Sequence, residues 1–142
     1  MATNSKQQDC PCGKGKLATC CGRFLSGAAL AKTAEQLMRS RYSAFTLGDE
    51  DYLRATWHPD TLPAETLTGE PGVKWLGLDV LKHQHIKDSD EATVEFIARF
   101  KVGGRAHRLH EVSSFVRQAD TAGQRRWYYV DGAFPDDQSI MK

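Results

Sequence analysis

The sequence predicts an α+β fold: a small N-terminal cysteine knuckle, then helices packed on an antiparallel sheet of about four strands. Three observations lead there. All four cysteines fall within DCPCGKGKLATCCG, residues 9–22. Residues 33–48 carry a helical apolar stripe behind a capping signal. From Val73 onward, four strand-like segments alternate with turn residues. This change of grammar divides the chain into residues 1–32, knuckle and linker, and residues 33–142, the α+β body.

The knuckle runs Cys10-Pro11-Cys12, seven residues, then Cys20-Cys21. Two close pairs across a short Gly/Lys loop is the spacing by which thiolates converge on a tetrahedral ion, and zinc is the ion four thiolates favour. Gly13, Gly15 and Gly22 offer the loop positive φ, and Pro11 stiffens the first pair. Disulfides fit less well, because a bridge between adjacent cysteines is strained and the chain has the look of a cytosolic one. The Cys-x-x-Cys spacing of a redox centre is missing. Lys14, Lys16 and Arg23 give the knuckle a basic rim that offsets thiolate charge. Residues 1–32 hold five basic residues against one acid, whereas the remainder holds 14 against 17. The body therefore has no nucleic-acid footprint.

Residues 26–32 are linker-like, with GAALAK able to add a helical turn. Thr33-Ala-Glu-Gln36 is a capping box that starts a helix. Leu37, Met38, Arg41, Tyr42 and Phe45 then form one stripe, and Gly48 stops the helix. Asp49 or Asp51 caps a second helix, DYLRATW, ended by Pro59. Residues 60–72 form a loop. The segments VKWLGLDVLKHQHI, ATVEFIARFKV, RAHRLHEVSSFVRQ and RRWYYVDG follow, joined by KDSDE, a Gly103-Gly104 turn and ADTAGQ. The second puts Ala92, Val94, Phe96, Ala98, Phe100 and Val102 on one face, and the whole is a hairpin-linked meander.

The motif CPCGKGKLATCCG resembles the SEC-C zinc motif, with Lys14 where a serine is usual and one residue fewer between the inner cysteines. The blocks LMRSRYSAF, DYLRATWHP, WLGL, FIARF, HEVSSF and WYYVDG resemble the uncharacterised bacterial YchJ-like proteins, in the same order. That resemblance spans residues 10 to about 135. It implies a nuclear transport factor 2-like domain: a cone of strongly curved sheet closed by helices over a pocket. Some relatives carry a second cysteine knuckle at the C-terminus. This sequence closes on PDDQSIMK without one, so a function needing two knuckles is not expected.

Candidate sites follow. Cys10, Cys12, Cys20 and Cys21 are the metal ligands. In the cone, Arg41 on an apolar stripe needs a partner, and Glu111 offers one. Alternation puts Glu111, Ser113 and Phe115 on one strand face, and Trp127, Tyr129 and Asp131 on the next. Arg41, Tyr42, His58, Glu111 and Tyr129 thus outline a candidate pocket, with a structural ion pair in a filled core as the plainer reading. His58 ends a helix, where it caps carbonyls as readily as it acts as a base. His83 and His85 share a strand face without a third ligand and are read as solvent-facing.

Two functions compete. One is a zinc-stabilised interaction module that docks a protein partner through the basic knuckle, or binds a small ligand in the cone. The other is an enzyme of isomerase, dehydratase or hydrolase type with His58 or Glu111 as base, which rests on fold analogy. The opening MATNSKQQD has no apolar run and no stretch is long enough to cross a bilayer, so a cytoplasmic location is expected.

Overall fold

A computed structural model of the chain describes residues 8–68 and 72–135. The first seven residues, residues 69–71 in the predicted loop, and the closing segment after Pro135 lie outside the described residues.

In the knuckle, Gly13 and Gly15 take φ of 89° and 106°, which lets the chain double back so that the Cys10 N–H donates to the Gly15 carbonyl at 2.8 Å. A 3-10 turn, Leu17–Thr19, leads into a five-residue helix, α1, Cys21–Leu25. Gly22 lies inside α1 without positive φ. It is needed for a different reason from the predicted one: a Cβ there would sit 2.5 Å from the Leu17 carbonyl oxygen. Residues 26–32 then cross to the body with no helical turn.

Helix α2, Ala34–Leu47, starts at the predicted cap. The Thr33 hydroxyl accepts the Gln36 N–H at 3.1 Å, and Gln36 Oε1 accepts the Lys32 N–H at 2.7 Å, one residue before the usual capping-box partner. Gly48 closes it at φ 74°. Asp49 caps α3, Glu50–Ala55, by accepting the Tyr52 N–H at 3.1 Å. This helix stops short of DYLRATW because Thr56 and His58 bond instead to the last strand. The Tyr129 N–H donates to the Thr56 carbonyl at 2.8 Å, and the His58 N–H to the Tyr129 carbonyl at 2.7 Å.

The sheet is the predicted meander: β1 Val73–His85, β2 Glu91–Val102, β3 Arg105–Ala119 and β4 Arg125–Ala133, antiparallel in the order 1-2-3-4. Register shifts interrupt β1 between Trp75 and Gly77 and between Val80 and Lys82, and β3–β4 beside Ser114 and Phe115. Each added residue bends its strand and increases the twist. On β2, Ala92, Val94, Phe96 and Ala98 are buried, as alternation requires. Val102, at the strand's end, is exposed.

Leu37, Met38 and Tyr42 of α2 pack on Val94, Phe96, Phe115 and Trp127 of the sheet. Cys10, Cys12 and Cys21 belong to the same cluster. The knuckle is thus seated on α2: Arg39 Nη1 donates to the Cys12 carbonyl at 3.0 Å, and Cys10 Sγ lies 3.5 Å from Ser43 Oγ. Among the described residues, no helix is long and apolar enough to cross a membrane.

Candidate functional site

The ligand atoms of Cys10, Cys12, Cys20 and Cys21 all lie within 4.8 Å of one another, with Cys12 and Cys20 sulfurs 3.6 Å apart. A tetrahedral site with Zn–S bonds of about 2.3 Å separates its sulfurs by about 3.8 Å, so the cluster has the size of such a site. None of the four cysteines is in a disulfide. Their acidities diverge. Hydrogen bonding, from Cys21 above all, holds the Cys12 thiol down at about 5. Burial and the bond to Cys12 push Cys20 up to about 11. Cys21 is driven upward too, first by its bond to Cys12 and then by burial. One thiolate served by neighbouring thiols is all that so tight a group holds by itself, and four ionised sulfurs require a cation among them. The donor set therefore fits a metal ion.

The basic rim is largely committed. Lys16 pairs with Asp9 at 2.7 Å, while Arg23 Nε donates to the Cys20 carbonyl at 3.1 Å and lies over the Phe24 ring.

Between α2 and the concave face of the sheet lies a cavity of about 300 Å³, walled by Met38, Tyr42, Phe45, Trp57, Trp75, Phe96, Leu109 and Phe115. Arg41, Glu111, Ser113 and Tyr129 supply its polar atoms. Four of the five candidate pocket residues therefore converge on one space.

Arg41 is 6% exposed. Its Nη1 donates to the Leu53 carbonyl at 2.8 Å and to Thr56 Oγ1 at 2.7 Å, which ties the end of α3 to α2. The guanidinium lies over the rings of Tyr129, at 4.6 Å, and Trp57, at 5.1 Å. Burial lowers its pKa to about 10, which leaves it cationic at neutral pH. Its Nε and Nη2 have no protein acceptor among the described residues.

Glu111 is the expected counter-charge, but the direct ion pair does not form. Its Oε2 accepts the Ser113 hydroxyl at 2.7 Å and the Tyr129 hydroxyl at 3.0 Å, so Tyr129 stands between carboxyl and guanidinium. Burial raises the Glu111 pKa, against Ser113, Tyr129 and Arg41, which pull it down. The Tyr129 hydroxyl is pushed up by burial and by the adjacent Glu111.

The bulge beside Ser114 and Phe115 corrects the expectation for β4. Phe115 pairs with Tyr129 but Ser114 with Asp131, so Val130 is the extra residue and the alternation slips by one. Asp131 is carried to the other face, exposed, and Gly132 takes its inward place opposite Ser113. A Cβ at Gly132 would overlap the Glu111 carboxylate, 2.6 Å from its carboxyl carbon. Gly132 is thus a site residue that reasoning from charge and hydrogen-bonding type missed. A glycine inside the strand pattern WYYVDG was the available signal.

His58 lies outside the cavity. Its Nδ1 accepts the Asp60 N–H at 3.1 Å, which leaves Nε2–H to donate to Gln118 Oε1 at 3.1 Å, and its ring meets Tyr128 edge-on. Both ring nitrogens are engaged, Nδ1 within the loop after α3 and Nε2 in fastening that loop to the sheet. His83 and His85 are exposed and diverge, His83 toward Glu35 and His85 toward the Ser89 carbonyl.

Helices over a bent antiparallel sheet with a polar-floored cavity define an NTF2-like domain, and the seated cysteine cluster makes it one of the SEC-C-bearing kind. Residues 33–132 match the family model described as the middle NTF2-like domain of YchJ, and the chain belongs to that family. Two UPF0225 proteins are 58% identical to it. That of Ralstonia nicotianae aligns over 130 residues, 87% of this chain and 89% of its own. That of Cupriavidus metallidurans aligns over 124, 87% and 86%. Two solved SEC-C motif proteins share the fold at a TM-score of 0.74. One, from Rhodopseudomonas palustris, is 36% identical over 91% of this chain and 100% of its own. The other, from Psychrobacter arcticus, is 30% identical over 90% and 83%.

Proposed function

We propose that the protein binds a small organic ligand in the cone, and that zinc held by Cys10, Cys12, Cys20 and Cys21 braces the helix presenting that site. The observation that carries this reading is Arg41: a buried cation lining a 300 Å³ cavity, with two guanidinium nitrogens that have no protein acceptor among the described residues. A largely apolar space with a few convergent polar groups is the usual form of a small-molecule site. Zinc supplies cross-linking here and not catalysis, since four cysteines leave no open position for water or substrate. Cys10 beside Ser43, and the Cys12 carbonyl on Arg39, transmit that bracing to α2. Docking of a protein through the rim has less support, because Lys16 and Arg23 are already engaged.

Trp57 and Trp75 line the cavity and report on it directly. Titration of metal-loaded protein with benzene-ring compounds of anionic, neutral and cationic type should change tryptophan emission saturably for at least one class. If none does so, and none raises the melting temperature, the ligand reading fails.

A further inference from the structure

The cavity's polar atoms point to the kind of molecule it takes, on the reading that the cone is a ligand site. Its volume, about 300 Å³, corresponds to roughly ten water-sized volumes, which sets the ligand near ten non-hydrogen atoms. The walls are aromatic: Tyr42 meets Trp75 edge-on at 5.7 Å, Trp57 meets Tyr129 edge-on at 4.7 Å, and Phe115 closes on Tyr129 at 5.8 Å. A space walled by so many aromatic rings is suited to an aromatic apolar body.

The polar end is asymmetric. Arg41 contributes a fixed guanidinium whose Nη1 is spent on Leu53 and Thr56, leaving Nε and Nη2 as a pair of donors on one edge. Such an edge matches the two oxygens of a carboxylate. Glu111 does not neutralise Arg41 by contact, because its Oε2 is turned to Ser113 and Tyr129. Gly132 gives the carboxyl room to stay in that position. Glu111 Oε1 makes no hydrogen bond among the described residues.

We infer that the cone binds a small aromatic monocarboxylate, its ring between Trp57, Trp75 and Phe115 and its carboxylate on the free edge of Arg41. A primary amide of the same shape keeps the ring contacts but loses the charge. An ammonium compound meets a buried like charge and is rejected.

The test uses full-length, metal-loaded protein with benzoate, phenylacetate, benzamide, phenylacetamide and benzylamine, followed by tryptophan emission and calorimetry. The acids should bind at least about tenfold tighter than their amides, the worth of one charge-assisted hydrogen bond. Benzylamine should not bind. In Arg41→Gln that preference should vanish through loss of acid affinity, while amide affinity stays within about twofold. Because Arg41 also holds α3, the variant is expected to be less stable. The acid-to-amide ranking in the unaltered protein decides the matter without it. Amides binding as tightly as acids, or benzylamine binding best, would overturn the ligand class and leave the cone a ligand site. Silence across the whole panel would instead overturn the ligand site itself.

Discussion

Replacing Gly132 with alanine tests the polar floor of the cavity most directly. The backbone at Gly132 is not in the left-handed region, so alanine is conformationally admissible there, and the effect comes from space. The new methyl would lie 2.6 Å from the Glu111 carboxyl carbon and 2.9 Å from its Cγ, well inside van der Waals contact. The side chain must swing away, and the cavity gives it somewhere to go. It then loses the bonds from Ser113 at 2.7 Å and Tyr129 at 3.0 Å. Each is worth about 1 kcal/mol net, and a buried hydroxyl left without its acceptor adds a comparable cost, so the total is about 3 kcal/mol. At roughly 3 °C per kcal/mol for a chain of this size, the melting temperature falls by about 9 °C. The control is a double-mutant cycle in urea. With Glu111→Ala already present there is nothing to displace, and Gly132→Ala should change stability by less than about 0.5 kcal/mol. Equal destabilisation in both backgrounds would refute the argument that this glycine exists to admit the carboxyl.

Three further outcomes are expected. Metal analysis of tag-free protein should find one zinc per chain, and Cys12→Ser should abolish it while costing at least about 3 kcal/mol of stability, read by thermal melting with and without chelator. Arg39→Ala frees the Cys12 carbonyl and Glu35, and should cost about 1–2 kcal/mol in urea unfolding with zinc content unchanged. Glu111→Gln should show its effect through pH. The folded carboxyl titrates above its unfolded value, so the native state holds the proton longer, and the stability this contributes is full below about pH 4.3 and lost as pH rises through the folded value. Unfolding curves across that window should therefore show the parent losing stability relative to the glutamine variant as pH increases. Arg41 and Tyr129 face the same carboxyl, while Asp131, exposed on the other face of β4, adds only a weak raising field. A difference independent of pH would show that Glu111 titrates normally.

How much of this was open to reading from sequence depended on the range of the interactions. Helix starts and stops are set by neighbours in the chain, and Thr33, Gly48 and Asp49 announced them. The four strands were visible because alternation is intrinsic to a half-buried pleat. The cysteine cluster was plain because its spacing alone forces convergence. The bulge at Val130 was not visible, since nothing in RRWYYVDG marks which residue will be skipped; pairing with β3 decides it. One skipped residue exchanged Asp131 for Gly132 at the site. His58 was misplaced for a related reason: its neighbour in the chain, Trp57, lines the cavity while its own ring is drawn outward by Asp60 and Gln118.

Arg41 shows where local reasoning and tertiary structure meet. A charged residue on an apolar stripe announces a buried partner, and sequence proposed Glu111 because carboxylates are the commonest answer. The fold instead holds the guanidinium by one nitrogen, with the Leu53 carbonyl and the Thr56 hydroxyl on Nη1 and two aromatic faces beside it, none of which carries a formal charge. A full ion pair would have consumed the cation, since desolvated opposite charges in contact leave little field for anything else. Holding Glu111 one tyrosine away keeps the positive charge uncompensated at the edge of an apolar space. On the far side of the same helix, about 200° around from Arg41, Arg39 and Ser43 engage the cysteine knuckle. The helix therefore has no freedom to roll and relieve that charge, because one face is pinned by the knuckle and the other is stacked on Trp57 and Tyr129. The knuckle's place in the molecule follows from this: it is less an appendage than the back support of the helix on which the cavity's cation is mounted.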